Sequence, residues 1–416
     1  MKLKSKNKKI YLGFVLFTAL IASLTNVFRF YRNNTQYEVQ DWLINYQGGF
    51  VRRGLSGEIF LYLSNLFNTE TKFFYLFFLF IILIYFFYLL FNFLKNVNFN
   101  LLTILIVFCP LSIFYNVLDA KSTGRKEILF FLVFLIFLKL IEKIKHKEKS
   151  ILLLGFVTPF LLLIHEGILF YLPYFFIPLL FFINNMNKKI FLKYIILYWS
   201  IVFVITFILS QAGASQDQVI IMCNSLKSSA AINCQDTGAI AELTRNLDIA
   251  FHDIMKKNLL LWKGFLAATL ISFILGFFPL FIATFFIYRK NQDFKNNNSV
   301  LNTFSYQLIL FLPLIFSLPL YLFGQDWGRW LHTSYTFSMF CFIFFIQKRF
   351  IYLSDSIIFK RKFQFHPQQI IKKYLSIFLI IVYCLGWYLP NCCTTKIESP
   401  LIKSYNNINR VITKFF

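Results

Sequence analysis

FFYLFFLFIILIYFFYLLFNFL, Phe73 to Leu94, contains no charged residue. A helix that crosses the hydrocarbon layer needs about 20 such residues, because its own hydrogen-bond ladder is all that satisfies the backbone where water is absent. The stretch therefore reads as a transmembrane helix. The composition extends that reading to the whole chain: of 416 residues, 58% are hydrophobic, 21% aromatic and only 14% charged, a balance suited to lipid. Working outward by the same rule gives apolar runs near 10–30, 73–94, 100–118, 127–141, 151–165, 168–186, 190–210, 259–287, 308–324, 333–347 and 374–390. The expected fold is all-α, a polytopic transmembrane helix bundle of about eleven spans forming one transmembrane domain over residues 1–416. IHEG at 164–167 either separates two spans or kinks one long element. MKLKSKNKK has the charge of a signal-peptide start, but no A-x-A-like cleavage site follows, so the first run reads as a retained span.

A formal charge of +24 would suggest nucleic acid in a soluble protein. Here most lysines fall in short loops between apolar runs, where they set orientation, and a nucleic-acid partner is not expected. The basic N-terminus, KIKHKEKS at 143–150, NKK at 187–189, RKNQDFK at 289–295 and the stretch 348–373 all come out on one face. This places the N-terminus in the cytoplasm and the C-terminus outside, in an integral cytoplasmic membrane. The loops 31–72, 119–127, 165–167, 211–258 and 324–330 then face outward.

Against that pattern stand Arg52, Arg53, Arg125, Lys126 and Arg329, basic groups on the face where few belong. Each has a carboxylate near it in sequence: Asp41 and Glu58 flank the first pair, Asp119 and Glu127 the second, and Asp326 precedes Arg329 by three residues. The plain alternatives are a local inversion of topology or snorkelling to headgroups. Charges at the ends of membrane helices are otherwise expected to pair or to serve a ligand. Arginine grips phosphate through a planar fork, and neighbouring glycines let backbone N–H groups approach the same anion. GGFVRRG, Gly48 to Gly54, has both features. Leu55 to Phe67 after it can form an interfacial helix with Leu55, Ile59, Leu63 and Leu66 along an apolar stripe.

Asp41 in QDWLINY is either a general base or a cap of a loop helix, and Asp119 in DAKSTGRKE either a functional acid or a helix cap. His165 and Glu166 interrupt apolar sequence as a ligand-facing pair or as the closure of a kink. In DWGRW, Trp327 and Trp330 flank Asp326 and Arg329, which suits stacking on a sugar as well as an interfacial belt. Cys223 and Cys234 share one polar loop and could bridge in an oxidising compartment. The remaining cysteines and the histidines show no zinc spacing.

This layout resembles the GT-C class of integral-membrane glycosyltransferases, which take a sugar from a polyprenyl-phosphate or -pyrophosphate donor on the outer face. The resemblance implies a catalytic acid in the first outward loop, where Asp41 lies, interfacial helices in that loop, and a second acid after the third span, where Asp119 lies. GFVRRGLSG, GRKE and DWGRW are also similar to strings in uncharacterised bacterial multispanning proteins of surface-polysaccharide clusters. The first loop has no Asp-x-Asp pair, so the base and any divalent metal ion stay open. Arginines assisting departure of the leaving phosphate would make a metal unnecessary. The implied partners are the bilayer and a polyprenyl-linked sugar or glycan, and the implied activity is glycosyl transfer or polymerisation, with Asp41, Asp119, Glu166 and Asp326 as candidate acids. A transporter or flippase of lipid-linked glycans is the alternative, though it would place its charges at the bilayer midplane.

Overall fold

The computed structural model describes residues 5–33, 36–182, 186–226, 234, 236–244, 247–285, 287–288, 303–349, 352–353, 367–392 and 396–402. The regular secondary structure of the described residues is helical apart from one antiparallel pairing of Ile287–Tyr288 with Tyr352–Leu353 and a single bridge between Tyr388 and Glu398. Among them, four helices are long and apolar enough to cross a bilayer: Asn7–Arg32, Thr71–Leu94, Lys188–Gln211 and Gly264–Thr284. The basic stretch 289–295 and most of 348–373 lie outside the described residues.

Two of the expected spans are broken. The run at 100–118 forms a helix only over Leu101–Val107, then turns, and resumes as the single turn Tyr115–Leu118. Pro110 lacks an N–H and drives Cys109 out of the helical region. The Ser112 hydroxyl meets the freed ends, 2.6 Å from the carbonyl oxygens of both Val107 and Cys109. The run at 168–186 starts instead as a 3-10 segment, Glu166–Tyr171, and restarts as the helix Pro173–Leu180. Proline at a first helical position favours such a restart.

The chain divides into two compact units, residues 1–95 with 120–255 and residues 96–119 with 256–416. In the first, Ser5–Asn33 packs along Thr71–Leu94, Glu127–Lys143 lies on the latter, and Ser150–Ile164 pairs with Lys188–Gln211. Two short helices, Gln36–Leu43 and Leu55–Phe67, lie between the helices Ser5–Asn33 and Thr71–Leu94. The second has the bounds the sequence suggests, and it approaches the first at Gly57, where a Cβ would collide with the Ile44 carbonyl oxygen. Its protein-facing side is Ser56, Gly57, Phe60, Leu61 and Ser64. The expected stripe turns away from the protein: Ile59 and Leu66 are exposed, together with Tyr62 and Phe67, while Leu55 and Leu63 are half-buried. An outward apolar face suits a helix lying in the interface plane.

In the second unit, Thr303–Phe323 and Trp327–Gln347 pack against each other. Every residue from Trp327 to Phe345 is buried, so this helix carries Arg329, His332, Thr333, Ser334, Thr336 and Ser338 without presenting them to lipid. Its polar groups are used locally: the His332 Nδ1 lies 2.8 Å from the Leu111 carbonyl oxygen, and the Tyr335 hydroxyl donates to Ile106 O at 2.9 Å.

Candidate functional site

The loop between the two short helices of the first unit is built to aim arginines inward. Glu58 accepts from the Tyr46 N–H (2.9 Å) and the Gln47 side-chain amide (2.8 Å), closing the loop on itself. It is not a partner of Arg52 or Arg53, contrary to what its place in the sequence suggests. Arg53 has φ 66°, a left-handed conformation that costs a non-glycine residue about 1 kcal/mol or more. That conformation persists because the side chain and backbone are both held. Arg53 Nε and Nη2 donate to the two oxygens of Glu166 at 2.6–2.9 Å, and the Lys126 ammonium lies 3.5 Å from the Arg53 carbonyl oxygen. Arg52 donates its backbone N–H to Ala212 O at 3.0 Å.

Around this fork sits a buried network. Asp41, 2% exposed, is no helix cap; it lies within the Gln36–Leu43 helix, 3.5 Å from Arg53 Nη1 and 3.8 Å from Lys126 Nζ. Lys126, wholly buried, also donates to Ile164 O at 2.9 Å, which occupies a carbonyl at the end of the broken helix. His165 accepts from the Gly167 N–H through Nδ1 (3.1 Å) and sets Nε2 3.8 Å from Glu127. Burial alone would raise the Asp41 carboxyl. The charges of Lys126, Arg53, His165 and Arg125 overcome it and hold the group well below the usual carboxylate range. Glu166, likewise pushed up by burial, is held down chiefly by Arg53. Burial lowers the Lys126 ammonium to about 8 although Asp41 opposes the shift.

These directions fix a pH dependence. The two carboxylates contribute stability that is present above their unfolded values and lost as pH falls through the lower folded ones, so acid weakens the unit only below about pH 4. Lys126 acts in the other sense. Between its folded value of about 8 and its usual 10.5 the unfolded chain binds the extra proton, and stability from this group rises with pH. Thermal melts from pH 8 to 10 should therefore show wild type gaining on Lys126→Met, and parallel curves would contradict the depressed ammonium.

Several polar atoms at the site have no hydrogen-bond partner among the described residues, although they are buried: Arg52 Nε, Arg125 Nε and Nη1, Asp41 Oδ1, the Gln40 side-chain amide and the Tyr75 hydroxyl. The Arg125 guanidinium stacks over the Tyr37 ring, 4.5 Å from its centroid, and the same phenol acts electrostatically on Arg52 and Arg53. Three guanidiniums thus gather near Tyr37, one of them spent on Glu166 and two with donors to spare. Gln40, Tyr37 and Tyr75 escape sequence reasoning because a lone amide or phenol in apolar surroundings has no spacing to mark it.

The other expected residues lie in the second unit. Asp326 and Arg329 pair at 2.6 Å, as their spacing suggests. The Asp119 Oδ2 accepts the Asn391 backbone N–H at 2.5 Å. Trp327 and Trp330 are each 8% exposed and pack with Phe265, Leu320 and Tyr321. Among the described residues no three His, Cys, Asp or Glu side chains gather closely enough to hold a metal ion.

Cys223 and Cys234 form a disulfide, joining the end of the helix Gln216–Ser225 to the chain eleven residues on. This clamped helix braces the arginine loop: Asn45 donates to the Ser225 hydroxyl at 3.2 Å, and a Cβ on Gly48 would press on Gln218. Closing so short a loop is worth about 2–3 kcal/mol. Cys223→Ser with Cys234→Ser should lower thermal stability by that amount, and a melt equal to wild type would show that the bridge constrains nothing.

A helical bundle with a buried ionic network at the ends of apolar helices is an integral membrane protein by construction. The sequence model of a family described as uncharacterised membrane protein Rv1490 matches residues 10–224, just over half of the chain, and the chain belongs to that family. The matched stretch includes Asp41, Arg52, Arg53, Arg125, Lys126, His165 and Glu166. No curated protein and no solved structure matches the chain.

Proposed function

We propose that the protein is a membrane glycosyltransferase or polysaccharide polymerase, taking sugar from a polyprenyl-(pyro)phosphate donor on the outer face of the cytoplasmic membrane. The observation that carries this reading is the pair of arginines with buried donors unused, half-buried Arg52 and buried Arg125, the latter acting on the ionised Asp41 carboxylate. Unsatisfied buried guanidinium donors are costly, and an anion with several oxygens would satisfy them. A phosphate held there would sit beside the interfacial helix Leu55–Phe67, whose exposed apolar side suits the depth of a lipid headgroup. Arg53, occupied by Glu166, positions the loop and leaves the phosphate to Arg52 and Arg125.

In the transfer step the acceptor hydroxyl oxygen forms a bond to the anomeric carbon as the bond from that carbon to the phosphate oxygen breaks. The polyprenyl phosphate leaves with the electron pair, its charge met by the arginines. Asp41 takes the hydroxyl proton. On its own it is a weak base, because the charges of Lys126, Arg53 and Arg125 hold it ionised. A bound phosphate answers part of that positive charge and raises the proton affinity of Asp41 toward a useful range.

Purified protein in vesicles, given a radiolabelled polyprenyl-phosphate sugar and a glycan acceptor, should form a new glycosidic bond, and Asp41→Asn should abolish it while still folding. Undiminished transfer by Asp41→Asn would remove Asp41 from the chemistry. The break between Ile164 and Leu172, with Lys126 on the Ile164 carbonyl, favours a second reading as a flippase, since transporters use broken helices. That reading requires the labelled lipid to change leaflet with no new glycosidic bond.

The outward placement has its own test. Single cysteines at the exposed positions Asn68, Lys145 and Lys189 should divide, the first reacting with an impermeant thiol reagent outside and the other two only after permeabilisation. The reverse pattern would put the arginine site on the cytoplasmic face.

A further inference from the structure

The second unit contains a polar cluster that the donor-phosphate reading does not use. Tyr115 is wholly buried and Asn391 is 1% exposed. The Tyr115 hydroxyl and both side-chain atoms of Asn391, Oδ1 and Nδ2, have no hydrogen-bond partner among the described residues. They are brought to one place by three constraints. Asp119, whose N–H bonds back to Tyr115 O at 2.8 Å, holds the Asn391 N–H through its carboxylate. Gly328 leaves room for the meeting: a Cβ there would lie 2.8 Å from the Tyr115 hydroxyl and collide with the Pro390 carbonyl oxygen. The His332 ring stacks on Tyr115 with centroids 4.4 Å apart and a 16° interplanar angle, fixing the phenol's direction.

The chemistry of what is left over indicates what it would bind. Arg329 pairs with Asp326 at 2.6 Å, and the Asp119 carboxylate accepts the Asn391 backbone N–H. The Tyr115 phenol and the Asn391 primary amide are both uncharged and offer two N–H donors, a carbonyl acceptor and a hydroxyl that does either. These two groups match adjacent hydroxyls of a neutral polyol. We propose that Tyr115 and Asn391 form a binding site for a neutral, hydroxyl-rich ligand, with Asp119 as the positioning residue that orients Asn391. The choice of a hexose among polyols rests on the glycosyl-transfer reading above; the site itself does not.

The test uses full-length protein in nanodiscs and, as probes, the methyl glycosides of glucose, galactose, mannose and N-acetylglucosamine, with binding read by saturation-transfer NMR and calorimetry. At least one glycoside should bind wild type. Tyr115→Phe and Asn391→Ala should each weaken it about 5- to 10-fold, the worth of one or two neutral hydrogen bonds. Without ligand, Tyr115→Phe should melt no lower than wild type, because it deletes an unsatisfied donor from a filled position. Arg52→Lys should leave glycoside affinity unchanged, which separates this site from the phosphate site: wild-type transfer in both Arg52→Lys and Arg125→Lys, with glycoside binding retained, would damage only the earlier reading. Three results would overturn the proposal: no glycoside binding to wild type, wild-type affinity in both variants, or tighter binding of glucose 1-phosphate that depends on Asn391. If water alone fills the cluster, the first or the second of these is the result.

Discussion

Asp41→Ala should cost the first unit about 3–5 kcal/mol, the penalty for stranding one member of a buried ion pair. The reason is Lys126, wholly buried and left with carbonyl oxygens alone once its carboxylate is gone. Breaking the pair and replacing the pair are different experiments. Asp41→Leu combined with Lys126→Met removes both charges at similar volume, and should recover most of the lost stability while leaving transfer abolished. That combination separates a residue needed for folding from one needed for chemistry. A single Asp41→Ala variant melting within about 1 kcal/mol of wild type would mean that water reaches Lys126 and that the network is not closed.

The second large effect distinguishes two adjacent arginines. Arg52→Lys keeps the charge but not the fork, and loss of one charge-assisted hydrogen bond in the transition state is worth roughly 1.5–3 kcal/mol, about 10- to 150-fold in rate. Its melting temperature should not change, since Arg52 contributes only its backbone N–H to the loop. Arg53→Lys should lose both stability and activity, because a compact ammonium cannot replace the three short contacts to Glu166. Arg125→Lys should resemble Arg52→Lys, with a further small loss from the Tyr37 stack. Wild-type transfer in both Arg52→Lys and Arg125→Lys would show that no phosphate is gripped there.

The membrane character, the Leu55–Phe67 helix and the pairing of Asp326 with Arg329 were legible because each rests on a local regularity: an uncharged run, a helical spacing, a three-residue separation. Charge clustering was a good guide to the convergence of Asp41, Arg53, Lys126 and Glu166. It failed on partners. Glu58 and Asp119 lie next to arginines in sequence, yet the first closes its own loop and the second holds a backbone N–H 272 residues away. Carboxylate partners are chosen by tertiary approach, and proximity along the chain says little about it. The two broken runs show the same limit. Their hydropathy is continuous through Pro110 and Pro173, and a count of apolar residues does not register a missing N–H. Trp327 and Trp330 suit either a sugar or an interfacial belt by sequence, and their packing with Phe265 and Tyr321 depends on residues far from them along the chain or on the neighbouring helix.

The helix Trp327–Gln347 poses a problem of biogenesis. Each segment leaving the translocon partitions between the pore and the bilayer on its own, and an arginine, a histidine and five hydroxyl residues weigh against lipid. This helix has no face it can offer to acyl chains, since the folded protein covers all of it from Trp327 to Phe345. If the helix spans the bilayer as its apolar run 333–347 suggests, it would enter as one half of a hairpin with Thr303–Phe323, released together once the more apolar partner can shield it. A nascent chain halted just after Gln347 should be retained beside the insertion machinery longer than one halted after Leu94, whose helix needs no escort.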